Sequence, residues 1–179
     1  MVVVTAGCSD ASNSPPPVTI STPQGNITAQ KSIGEPTPQK IAVVRGDALK
    51  RLEALSEQGP GFVRAYLPDV REPDLKDHDL AFRAWQTSKA PQHSNEQVVE
   101  ILGGYLGNKC VVDLEMEWVT VTDEYGTDYA VRSKSAEVMA FPFSTVMKRI
   151  EAKEHDFLHG VYHTLKHTLD SGDYKTREP

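Results

Sequence analysis

Between residues 94 and 121 the apolar side chains change period, and this change restricts the fold more than any other feature of the chain. Ser94-Asn95-Glu96-Gln97 has the form of a capping box, with Ser94 as N-cap and Gln97 reaching back to it. Val98, Ile101, Leu102 and Tyr105 then follow at helical spacing. Gly107 is expected to close this helix, with Gly103 and Gly104 held inside it by close packing against a sheet. From Val112 the spacing shortens to two, and Leu114, Met116 and Trp118 alternate with Asp113, Glu115 and Glu117. The apolar parity then moves to Val119 and Val121, which places a turn or bulge near Glu115–Glu117. A helix that feeds directly into alternating strands must bury its stripe against a sheet.

The flanking segments extend this pattern. Asp47 to Leu55 reads as an amphipathic helix with Asp47 as N-cap and Gly59 as its stop. Residues 60–74, broken by Pro60, Pro68 and Pro73, read as a loop or short element, and Asp77 to Thr87 as a second helix with Leu80, Ala84 and Trp85 on one side. After the first strand, Asp123-Glu124-Tyr125-Gly126-Thr127-Asp128 has turn chemistry, with Gly126 supplying positive φ. Tyr129–Arg132 returns, and Glu137–Phe141 makes the last strand. Pro142 suits the first turn of a helix carrying Val146, Met147 and Ile150. A final helix from about Glu154 to Leu169 ends at Gly172. The expected class is α+β, with a three- or four-stranded antiparallel meander packed against flanking helices.

The 179 residues suffice for one such domain, expected over 41–172 and followed by a tail at 173–179. The first 40 residues have a different character. Residues 9–40 hold Pro15, Pro16, Pro17, Pro23, Pro36 and Pro38 among many Ser, Thr, Gln and Asn. Such a run buries too little apolar surface to offset its ordering entropy, and reads as an extended disordered linker.

Ahead of it, Val2-Val3-Val4-Thr5-Ala6-Gly7-Cys8 resembles the end of a bacterial lipoprotein signal. That resemblance implies lipidation of Cys8, and Ser9 after the cysteine implies an outer-membrane lipoprotein facing the periplasm. Thr5 stands where leucine is usual, and the charged n-region and most of the apolar segment are missing. With Met1 as the true start the chain stays cytoplasmic, and residues 1–40 become a bare tail.

A second resemblance covers roughly residues 80–170. Gly104 and Gly107, the run Trp118-Val119-Thr120-Val121-Thr122-Asp123-Glu124-Tyr125-Gly126-Thr127-Asp128, then Phe141-Pro142-Phe143 and Lys148-Arg149-Ile150-Glu151 together resemble a bacterial family known only as domain of unknown function 3806. The resemblance implies a small α+β domain with no established activity, and it transfers no catalytic residue.

Charge narrows the partners. The net charge is −6, and Lys and Arg are scattered singly, so nucleic acid is excluded as an expected partner. No apolar run reaches the length of a bilayer span. No phosphate loop, dinucleotide fingerprint or nucleophile elbow is present, and no cofactor is expected.

Individual sites read as follows. His155, His159, His163 and His167 recur every four residues. Neighbours such as His159 and His163 have metal-pair spacing, or else belong to a solvated face. Asp113, Glu115 and Glu117 on one strand face invite a cation or simply meet water. Asp123, Glu124 and Asp128 resemble part of a calcium loop without its spacing, and an ordinary turn accounts for them. Cys110, at a strand start, is either half of a Cys–His pair or a buried inert thiol. Lys148 and Arg149, with Asp123 and Glu124, make the expected partner surface, for a protein or an anionic ligand. Trp118, Gly126 and Pro142 are assigned structural roles.

The function these features support is a non-enzymatic binding or accessory module tethered in the cell envelope. A metal- or thiol-dependent hydrolase using the C-terminal histidines or Cys110 is the second reading. An immunity or inhibitor protein that caps a toxin with its acidic surface is the third.

Overall fold

The computed structural model describes residues 18–22, 25–29 and 39–172. Cys8 and the signal-like residues 1–8, the linker stretches 9–17, 23–24 and 30–38, and the tail 173–179 lie outside the described residues. The chain divides into two compact units, Met1–Pro38 and Gln39–Pro179. In the first, β1 (Val18–Thr22) pairs antiparallel with β2 (Gly25–Ala29), Val18 opposite Ala29 and Thr22 opposite Gly25.

The second unit is α+β. Its elements run β3 (Lys40–Val43), α1 (Gly46–Ser56), α2 (Gly59–Tyr66), α3 (Leu75–Thr87), α4 (Asn95–Asp113), β4 (Met116–Asp123), β5 (Gly126–Ser133), β6 (Met139–Ala140), α5 (Pro142–Ala152) and α6 (Leu158–Ser171). The sheet is antiparallel in the order β3-β4-β5-β6. Among the described residues, no helix is long and apolar enough to cross a membrane.

Helix α4 organises the core. The capping box forms as expected: Gln97 N donates to Ser94 Oγ at 3.3 Å, and Ser94 N donates to Gln97 Oε1 at 2.8 Å. The helix does not stop at Gly107 but continues to Asp113. The reason lies in packing. A Cβ on Gly107 would meet Trp118 Cη2 at 2.1 Å, so the residue is a contact point for the indole and not a terminator. Gly103 receives Phe143 of α5 and Gly104 receives Leu55 of α1, so two of the three close approaches are to helices and one is to the sheet.

Several other expectations are corrected. Val112 is helical and 69% exposed, Cys110 is helical, and Glu115 makes the helix-to-strand turn at φ 53°. Asp113, Glu115 and Glu117 therefore share no strand face. Asp113 ends α4, whereas Glu117 lies on β4 and pairs with Arg132 at 2.7 Å. The parity change at Trp118 has another cause than a bulge. Both faces of β4 are covered: Met116 and Trp118 join the main core, while Val119 and Val121 pack with Ala130, Met139 and Phe141 on the opposite face.

The N-cap of α1 is Arg45, with Asp47 in the first turn. Gly59 opens α2 instead of ending α1, because Pro60 suits an initial helical turn. Leu80 is 48% exposed; α3 buries Leu75, His78, Asp79, Phe82 and Trp85. The last helix begins at Leu158, leaving Glu154 and His155 in the preceding turn. Gly172 ends it in the left-handed region, as expected.

Candidate functional site

The hairpin joining β4 to β5 is tight, with Asp123 opposite Gly126. Asp123 Oδ1 accepts from Tyr125 N at 2.9 Å, which fixes the turn, and Gly126 takes φ 132°. Aspartate first and glycine fourth is the signature of a type I turn. This geometry leaves Tyr125 at the tip, 90% exposed.

Helix α5 approaches from the other end of the sheet. Pro142 stands in its first turn, as expected, and Val146 anchors it in the core. Ser144 Oγ donates to Asp128 Oδ2 at 2.5 Å, and Asp128 Oδ1 accepts from Tyr129 N at 2.7 Å. A carboxylate near the start of a helix also meets the positive end of its dipole. Asp128 thus ties β5 to α5.

Between hairpin and helix lies a cleft of about 710 Å³. Its apolar floor includes Val121 and Phe141, its rim includes Tyr125 and Met147, and its charged groups are Asp123, Asp128 and Lys148. Met147 is 46% exposed.

Residues 77–162 match the family described as "Domain of unknown function (DUF3806)". The match spans 86 of the chain's 179 residues. No curated protein and no solved structure matches the chain. The cleft, formed by residues between Val121 and Lys148, lies wholly within the DUF3806 segment.

The structure brings together some of the residues singled out in the sequence and separates others. Asp123 and Lys148 line the cleft, and Glu124 is exposed at its hairpin. Arg149 faces a different hollow with Glu154, to which its guanidinium pairs, and with His155 and Phe157. Lys148 and Arg149 therefore make no joint cationic patch, because neighbours on a helix diverge by about 100°. Trp118 is buried beneath α4, and its ring lies 5.8 Å from that of Phe143.

On α6, the rings of His159 and His163 stand 4.2 Å apart. Among the described residues, no group of three or more His, Cys, Asp or Glu side chains gathers where it would hold a metal ion. Cys110 is fully buried, and burial pushes its thiol up to about 12. A thiol so placed is a poor nucleophile near neutral pH.

The sequence reading passed over Phe141, Ser144, Thr145 and Met147 as cleft residues. One signal was available: an aromatic side chain, Tyr125, set in an otherwise polar turn.

Proposed function

We propose that the DUF3806 domain is a non-enzymatic binding module that takes a protein partner in the cleft between the β4–β5 hairpin and α5. One observation carries this reading. Tyr125 and Met147, both exposed, flank a concave surface that also carries Asp123, Asp128 and Lys148. Tyrosine and methionine over a mixed polar lining is the composition of protein interfaces. The alternative of an anionic ligand needed Lys148 and Arg149 to act together, and they face different hollows.

The module is tethered in a bacterial cell envelope through a lipid on Cys8, at the outer membrane. The Ala6-Gly7-Cys8 sequence, the polar and proline-rich run after it, and Ser9 support this placement.

Two experiments test the reading. A photo-crosslinking amino acid at Tyr125, in the full chain expressed in its native host, gives a discrete adduct, which the same group at Leu80 on α3 does not. No adduct, or equal adducts at both positions, overturns the cleft. Clickable palmitate labels the chain and Cys8→Ala abolishes the label; an unlabelled wild type overturns the tether.

A further inference from the structure

We propose that the cleft is a strand-addition site, where an extended, basic segment of the partner pairs with the β5 edge in line with β6. This rests on the cleft being a binding surface and names what binds there.

The argument begins with an interrupted ladder. β5 pairs with β4 along its whole length, from Gly126 to Ser133. On its other side β6 answers only Val131 and Arg132. Phe141 then leaves the edge and Pro142 opens α5, since proline has no N–H to continue a ladder. Among the described residues, no strand pairs with Gly126–Ala130 on that side.

In an antiparallel ladder alternate residues turn their backbone groups to the same neighbour. Val131 faces Ala140 of β6, so Tyr129 and Thr127 face outward along the same edge. The donation from Tyr129 N to Asp128 Oδ1 agrees with this direction. Asp128 thus caps the open edge, as native sheets guard theirs with charge. An incoming strand's carbonyl takes that N–H in its place, and Asp128 Oδ1 then faces the ligand while Oδ2 stays with Ser144.

The edge from Gly126 to Ala130 offers room for roughly four or five residues at about 3.3 Å each. The cleft's charge selects what fills it. Asp123 and Asp128 outnumber the single lining cation, Lys148, and the chain as a whole is acidic. A lysine or arginine of the ligand pairs with these carboxylates and stacks on the exposed Tyr125 ring. Its alternate, apolar side chains rest on Phe141 and Met147. Backbone pairing supplies affinity and the pockets supply selectivity, as in strand-adding domains generally.

The test uses the full chain and a fluorescein-labelled, N-acetylated heptapeptide of alternating lysine and valine, read by anisotropy. The peptide is expected to bind, and its glutamate–valine counterpart is not. N-methylation of the amides along one edge weakens binding roughly tenfold or more. Thr127→Pro does the same by removing an outward N–H, and Asp123→Lys by reversing a cleft charge. Circular dichroism checks both variants, and the N-methylated peptide, read on the wild-type chain, decides if either variant does not fold. Equal binding of the methylated peptide overturns strand addition and leaves a side-chain-binding cleft. No binding of either peptide, together with a partner adduct at position 125, overturns the ligand class while the binding module stands. No binding and no adduct overturns both.

Discussion

Asp79 on α3 caps α6 across 79 positions of sequence: its Oδ1 accepts from Leu158 N at 2.8 Å, and its Oδ2 accepts from His159 N at 3.0 Å. The helix has no side-chain cap of its own, because its N-cap residue is Phe157. A buried aspartate therefore does the work that a local serine or aspartate usually does, and in doing so it fixes α6 to α3.

Removing that carboxylate leaves one buried and one partly buried amide donor without an acceptor. Asp79→Ala is expected to lower stability by about 2–4 kcal/mol, measured as a shift in the urea midpoint. A change within about 0.5 kcal/mol, the range of ordinary surface substitutions, contradicts the capping role. The pH dependence has a definite sign. Burial raises the Asp79 carboxyl above its ordinary 3.8, against the pull of the amides. The folded chain then holds this proton more tightly than the unfolded chain does. The associated stability is full below the unfolded value and is lost as pH rises through the folded one. The stability of the wild type relative to Asp79→Asn should therefore fall as pH rises above 3.8.

His78 behaves in the opposite sense. It is fully buried, its Nδ1–H donates to Asp74 O at 2.6 Å, and its ring stacks on Tyr105 at 3.8 Å. Nε2 has no hydrogen-bond partner of good geometry. Burial depresses its pKa below 6.5, more than Asp77 and Asp74 nearby restore it. Stability from the neutral ring is present above 6.5 and is lost as pH falls toward the folded value. His78→Phe keeps the stack and removes the titration. Its denaturation midpoint should change less than that of the wild type between about pH 7 and 5. Parallel curves would show that His78 does not titrate with unfolding.

Two glycine-to-alanine changes should have opposite signs. Gly107→Ala places a Cβ 2.1 Å from Cη2 of the buried, rigid Trp118 indole, and is expected to cost about 2–4 kcal/mol. Gly160, inside α6, has nothing within 4 Å of such a Cβ. Alanine there should stabilise by about 0.4–1 kcal/mol, through helix propensity and a less free unfolded chain. Thermal unfolding of the two variants checks both signs; the same sign for both refutes the packing argument.

These glycines also show where sequence reasoning stopped. Class, the Ser94 capping box, the hairpin at Gly126 and the start of α5 at Pro142 were legible, because each depends on neighbours in sequence. The length of α4 was not. Gly107 has the local appearance of a helix stop, and only the approach of Trp118, eleven positions on, gives it another purpose. β3 was missed for a related reason. Lys40–Val43 is a short edge strand whose partner, β4, lies some 80 residues away, and four residues carry little periodicity. At the cleft, Asp123 and Lys148 were named from sequence, but the meeting of Asp128 with Ser144 depends on how α5 folds back. Nothing in the spacing announces it.

Whether the cleft binds a partner is testable only if its rim can be altered without harming the fold. Tyr125 is 90% exposed at the hairpin tip, and the turn is held by Asp123 and Gly126 instead. Lys148 is exposed on α5, where Val146 anchors the helix. Tyr125→Ala and Lys148→Glu should each leave stability within about 0.5 kcal/mol of wild type, while Asp128→Ala, which loses the Ser144 tie, should cost about 1–2 kcal/mol. Urea unfolding separates the two classes. If Tyr125→Ala proves as damaging as Asp128→Ala, the ring supports the hairpin, and its exposure no longer argues for a partner.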